Sequence, residues 1–221
     1  MYDDRLAKAG AMTRGEPGMS TLEMTTQEKI LAAAREEFGA RGLDGARVDR
    51  IARAAGVNKA MIYYHFRSKE QLYETVVQRF IDSLAKFLDR VLTEEADLES
   101  LLLAVSAFYG RVFETSREMR PIMLREMAAG GDRARNLFIK MFTEVDAPRK
   151  IRALFESEVR KGRLRKVDTP QTFVSFVGMN LFYLLFAPVI NSIWEIQDEQ
   201  SFRRSRPEAV VDLFLNGVRS R

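Results

Sequence analysis

The stretch from Val48 to Lys69, VDRIARAAGVNKAMIYYHFRSK, admits few folds. Val48, Ile51, Ala52 and Ala55 fall at i, i+3, i+4 and i+7, so they line one face of a helix. Gly56 stands where that helix must stop, and Asn58 is a good N-cap for a second helix running from Lys59 to about Tyr64. In that short helix Ile62 and Phe66 point inward, which leaves Lys59, Ala60, Tyr63 and Tyr64 facing out. Two helices joined by a Gly-containing turn of three to four residues make a helix-turn-helix, whose second member lies in the major groove of DNA.

The longer segment GARVDRIARAAGVNKAMIYYHFRSKEQLYETVV resembles the DNA-binding region of the tetracycline-repressor (TetR) family of bacterial regulators. Most of the likeness sits in GVNKAMIYYHFRSKEQL, with Y-Y-H-F followed by S-K-E, and the motif extends from Thr25 to Lys69. The resemblance implies an all-α fold: an N-terminal three-helix head joined by a long helix to a C-terminal helical body that binds ligand and dimerises. It implies a homodimer on a double-stranded DNA operator, released when a small effector binds the body. In such regulators the positions matching Tyr63, Tyr64, His65 and Lys69 touch the DNA backbone. Arg47 departs from the family pattern, which often has a helix-capping Thr there. Asp49 stands where a basic residue is frequent.

The side chains themselves suggest how DNA would be held. Asn58, Lys59 and Ala60 open the recognition helix, where Lys can donate to guanine and Ala can touch a thymine methyl. Arg47, Tyr64 and His65 can reach phosphate oxygens, which carry most of the affinity in such complexes. Lys69, in the first turn of the next helix, opposes the helix dipole unless a phosphate joins it there. Charge agrees with this placement. Nine cations and five anions lie between Thr25 and Lys69, so that segment holds the chain's whole formal excess of +4.

Other chemistries find little support. The chain has no Cys and one His, which removes disulfides, thiol catalysis and multi-His metal sites. It has no G-x-S-x-G, P-loop or G-x-G-x-x-G motif. No enzyme activity, metal or cofactor is expected.

Three regions follow in order: residues 1–24 as a flexible arm without helical periodicity or a secretory apolar run, 25–70 as the head, and 71–221 as the body. Thr25-x-x-Glu28 and Ser68-x-x-Gln71 are capping boxes, and Gly42 reads as the first helix's stop. A connector helix runs to about Leu92. Body helices are expected at about Leu98–Glu118, Pro121–Ala129, Asp132–Lys161 with a kink or split at Pro148, Pro170–Ile196 and Pro207–Arg219, with Gln197–Arg206 as a polar break.

No charge occurs from Thr169 to Trp194. That length could cross a bilayer, but Gln171, Thr172, Ser175, Asn180, Pro188, Asn191 and Ser192 spread polarity through it. A helix covered by its own core on one side and a second subunit on the other fits better. A cytoplasmic homodimer built on Pro170–Ile196 and Pro207–Arg219 is therefore expected, with no membrane partner. The aromatic and Met residues of the body, notably Phe108, Phe113, Met123, Met127, Phe142, Phe176, Met179 and Tyr183, are candidates to line a pocket for an apolar or aromatic effector. Arg111, Glu114, Arg125 and Asn180 are candidates for its polar contacts. A regulator that senses nothing, or an activator with the same head, stays open.

Overall fold

The computed structural model describes residues 24–94, 97–128 and 132–219. Most of the arm expected at residues 1–24 lies outside these. Among the described residues the secondary structure is ten α-helices and one isolated antiparallel bridge, Leu164 to Arg219.

Helix α1, Thr26–Gly45, opens on the expected capping box. Thr25 Oγ1 accepts from the Glu28 amide at 3.2 Å, and Glu28 Oε2 accepts from the Thr25 amide at 2.7 Å. Gly42 was expected to end this helix. Instead it makes a kink at φ 69°, ψ 179°, a conformation open to glycine, and one more helical turn follows. Helix α2, Val48–Ala55, buries the four residues that its spacing predicts and stops at Gly56, which is left-handed at φ 66°. Helix α3, Lys59–Phe66, is capped by Asn58 Oδ1, which accepts from the Ala60 amide at 2.9 Å. An Asn58→Ala chain should lose about 1 kcal/mol of stability with an unchanged denaturant slope in urea unfolding. Helix α4, Lys69–Glu94, starts from Ser68, whose hydroxyl accepts from the Gln71 amide at 3.1 Å.

The body holds α5 (Leu98–Thr115), α6 (Met119–Ala128), α7 (Asp132–Glu144), α8 (Ala147–Arg160), α9 (Thr169–Ile193) and α10 (Glu199–Val218). The segment from Asp132 to Lys161, expected to kink or split at Pro148, splits two residues earlier, where Asp146 takes a left-handed φ of 52°. Pro148 then sits in the first turn of α8, where its missing N–H is harmless. The last helix begins eight residues before Pro207, because Asp198 caps it by accepting from the Ser201 amide at 2.8 Å. From Glu199 onward the polar run expected to be a break is thus the start of α10.

Two cores organise these helices. The first joins Ile30, Phe38, Ile51, Ile62, Leu72 and Val76 to Met119, Ile122 and Met141, so the head's core runs without a gap into the body. The second gathers Phe87, Leu101, Phe155, Phe176, Val210 and Phe214. Helix α4 contributes to both, and α1 packs on α6. The head is therefore seated on the body as well as tethered to it.

Candidate nucleic-acid interface

Helix α3 is anchored from beneath by Ile62 and Phe66, which are fully buried. Its outward face carries Lys59, Ala60, Tyr63 and Tyr64, all exposed, with the Tyr64 side chain 79% accessible. An aromatic left that bare by its own subunit has no packing role to lose. The half-buried His65 ring meets Tyr64 edge-on at 5.2 Å, and its Nε2 has no hydrogen-bond partner.

Lys59 Nζ lies 2.9 Å from Asp49 Oδ1, tying the start of α3 to α2. The hydrogen bond and charge of Lys59 hold the Asp49 carboxyl below its ordinary range, and Asp49 raises the Lys59 ammonium in return. Both groups are solvent-exposed, so screening keeps the pair weak. Its importance is positional: the first cation of α3 is engaged by a carboxylate of α2. An Asp49→Asn chain, which frees Lys59 and removes one negative charge from the face, should bind DNA several-fold more tightly. The slope of log affinity against log salt should steepen by about one, measured by titration at several salt concentrations.

Other cations of the head are similarly occupied. Glu37 faces Arg41 at 3.4 Å and Arg50 at 3.6 Å, and its Oε1 accepts from the Arg47 amide at 3.1 Å. Arg47 occupies the N-cap of α2 without a side-chain capping bond, in keeping with the loss of a Thr there, and its side chain is exposed. Lys69 differs most from its expected part. It is half-buried, and its Nζ donates to the Asp44 and Ala46 carbonyls at a long 3.4 Å, pinning the start of α4 to the end of α1. Asn58 spends its side-chain oxygen on the α3 cap. Lys59, Ala60, Tyr63, Tyr64 and His65 are thus brought together on α3, Arg47 stands at the start of α2, and Lys69 is half-buried at the start of α4.

The body's expected pocket residues scatter. Phe108 stacks on Phe87 at 3.6 Å, and Phe176 is a fully buried core residue against Phe214. Met123 borders the first core, Met179 the second, and Phe142 both. The side chains of Phe113 and Met127 lie outside the described residues, as does that of Glu114. Of the six whose side chains are described, Tyr183 lines a shallow cleft between α5, α9 and α10, partly open to solvent and enclosing about 20 Å³. Ser106, Tyr109, Asn180, Arg203 and Arg206 line it too. Among the candidates for polar contacts, Asn180 is at this cleft, whereas Arg125 points the other way, donating to the Phe38 and Gly39 carbonyls of α1 at 3.2 and 2.9 Å. Sequence spacing gave no signal for Arg203 and Arg206, which sit in the run expected to be a break.

Comparison with known proteins agrees with this geometry. A family model described as bacterial regulatory proteins, tetR family, matches residues 30–76. The chain is 39% identical over 95 residues to the HTH-type transcriptional activator FasR of Mycolicibacterium smegmatis, covering 42% of this chain and 43% of FasR. It is 26% identical over 197 residues to the HTH-type transcriptional repressor NicS of Pseudomonas putida, covering 88% and 92%. Its fold is similar to that of the transcriptional regulator FadR from Bacillus subtilis, solved in complex with stearoyl-CoA: TM-score 0.63, 16% identity, 86% of this chain and 97% of that one.

Proposed function

The chain belongs to the TetR family of bacterial regulatory proteins, and on that premise we propose that it is a cytoplasmic, homodimeric repressor released from a palindromic operator by a small effector. The observation that carries the DNA half is the bare face of α3, where Lys59, Ala60, Tyr63 and Tyr64 project from a helix whose opposite side is fully buried. Two such faces about one helical turn of DNA apart read a two-fold site.

The dimer half rests on α9. Val174, Phe182, Phe186, Val189 and Ile193 form one apolar stripe along it, all exposed, and Leu213 of α10 lies exposed as well. A stripe of this kind marks an interaction surface. The ligand half rests on the cleft between α5, α9 and α10, and on the likeness to FadR, whose solved complex holds stearoyl-CoA.

Selection of bound fragments from genomic DNA tests the proposal. It should return two-fold symmetric sites, bound with a steep salt dependence. Equal affinity for all duplexes at moderate salt would overturn it. A Tyr64→Ala chain should bind the selected site about tenfold more weakly, a loss within the 1–3 kcal/mol that a good base or backbone contact supplies. Its melting temperature should change little, since Tyr64 is 79% exposed. Activation is the second reading, since short matches to this chain include an activator, FasR, at 39% over 95 residues as well as a repressor, SCO4008 of Streptomyces coelicolor, at 40% over 60 residues. A reporter fused to the selected site decides between them by the sign of the response.

Helix α9 is also long and apolar enough to cross a membrane, by its 25 residues and mean hydropathy of 2.0. Pro188, Asn180 and Asn191 within it favour a protein partner. Recovery of the full chain as a dimer without detergent would agree; recovery only with detergent would reverse the assignment.

A further inference from the structure

Asp49 is an acid on a face that must meet a polyanion. Its side chain is 64% exposed, and Arg47 and Arg53 lie close enough for their charges to act on it. A carboxylate so placed opposes each phosphate that approaches, and phosphate contacts supply nearly all the affinity for arbitrary sequence. The first turn of α2 is a favourable end for an anion. Dipole compensation needs only the charge, however, and not a side chain that reaches the next helix. Asp49 Oδ1 does reach it, lying 2.9 Å from Lys59 Nζ at the opening of α3. Glu37 behaves differently. It faces Arg41 and Arg50 and accepts from the Arg47 amide, so it is spent within the head.

Position decides what the pair can do. In a helix-turn-helix the N-terminal residues of the second helix meet base edges, and the first helix crosses the backbone. Lys59 is the first residue of that second helix, and Asp49 reaches forward from the first helix to join it. An ammonium has three N–H donors, so one given to Asp49 leaves two. A carboxylate has two oxygens, so Oδ2 can accept while Oδ1 is engaged. In the major groove a G·C pair offers both complements side by side: guanine O6 and N7 accept, and the cytosine N4 amino group donates. An A·T pair puts the thymine methyl and O4 in the place of that amino group. The carboxylate would then shed water with no donor in return.

We propose that Asp49 is a specificity-determining residue: with Lys59 it reads one G·C pair in each half of a two-fold site, Lys59 donating to guanine and Asp49 accepting from cytosine, while its charge weakens complexes held by phosphates alone. This rests on the DNA-binding role proposed above and assigns part of its sequence choice to two side chains. The carboxylate then has two effects of opposite sign. On the matched site the cytosine amino group offsets the repulsion from phosphate. On random DNA only the repulsion is left. The tightening expected of Asp49→Asn should therefore be larger on random DNA than on the selected site.

Fragment selection and competition titration on the full chain test this, with Asp49→Ala and Lys59→Met run beside the parent. The sites that Asp49→Ala selects should lose a G·C preference at one symmetric position per half-site and keep the rest. Replacing that pair by A·T should weaken the parent about tenfold and the Asp49→Ala chain at most about twofold. The ratio of site to random-DNA affinity should fall roughly fivefold in Asp49→Ala, and Lys59→Met should relax the same position. Circular dichroism and melting temperature establish that both variants are folded, since the pair is exposed and weak. Equal tightening of Asp49→Ala on site and random DNA, with an unchanged consensus, would make the carboxylate a bare charge and overturn the assignment. So would a position that Lys59→Met relaxes and Asp49→Ala leaves alone. A parent chain that selects no site at all overturns the DNA-binding role itself, which keeps the two failures apart.

Discussion

A chain carrying Phe182→Glu and Phe186→Glu is expected to be a folded monomer that has lost operator binding. Phe182 and Phe186 are 56% and 48% exposed on the subunit and stack on each other at 5.0 Å, within the stripe that continues to Val189 and Ile193. Covering the rest of each ring contributes on the order of 1–2 kcal/mol. Two-fold symmetry counts every such residue twice. The substitution also places four carboxylates in an apolar contact, at several kcal/mol each when unpaired. Together these exceed the free energy of a micromolar dimer, about 8 kcal/mol. Light scattering should therefore give the single-chain mass of 25.3 kDa where the parent gives twice that. Operator affinity should fall by about 10²–10⁴, the loss that accompanies separating two linked binding heads. The helical signal should be kept, because neither side chain is part of a buried core. A parent chain that is itself monomeric, or a variant that stays dimeric, would show that α9 is not the interface.

Gly39→Ala is expected to cost stability and to disturb DNA binding without touching DNA. A Cβ added at Gly39 would stand 2.6 Å from the Glu118 carbonyl oxygen and 3.1 Å from its Cα, closer than packed atoms come. The far side is backbone, so α1 and the start of α6 must part. Overpacking of this kind costs roughly 1–3 kcal/mol. The same joint is held by Arg125, whose guanidinium donates to the Phe38 and Gly39 carbonyls. These lie in the turn before the Gly42 kink, where the helical ladder is interrupted. Tyr73 adds a bond from α4, donating to Glu126 at 2.7 Å, and Arg35 faces Glu118 at 3.7 Å. Because this joint seats the head on the body, shifting it should change the spacing of two heads. The selected operator should be bound at least tenfold more weakly, while affinity for random DNA, which needs no fixed spacing, changes little. Urea unfolding and competition titration measure the two effects. An unchanged midpoint in Gly39→Ala would refute the close approach. Equal loss on both DNAs would point to a damaged head instead.

Much of the head was legible in the residue order. Thr25 with Glu28, Asn58 with Ala60, and Gly56 after Ala55 each make their bonds within four residues, so spacing alone predicts them. The inward pair Ile62 and Phe66 and the outward face from Lys59 to Tyr64 follow from helical periodicity once the cap is placed. The body was less legible. Pro148 signals the split between α7 and α8, but the break falls at Asp146, in a backbone state that no periodicity announces. The run Gln197–Arg206 looked like a break because guanidinium groups read as solvent-facing, yet Arg206 lays its charge against the Tyr183 ring. Aromatic and Met residues at helical spacing occur in cores and clefts alike, so residue type does not separate a core residue such as Phe176 from a cleft residue such as Tyr183.

Residue order was sufficient for the head's helices apart from the Gly42 kink, for the caps at Thr25, Asn58 and Ser68, and for the side of α3 that stays bare, because those depend on contacts a few residues apart. It was silent on Lys59 reaching Asp49, Lys69 reaching the Asp44 and Ala46 carbonyls, Arg125 reaching α1, and Arg206 reaching the Met179 carbonyl. Those partners are ten to 87 residues apart. They meet through the angles at which whole helices cross, and the packing of two shared cores sets those angles.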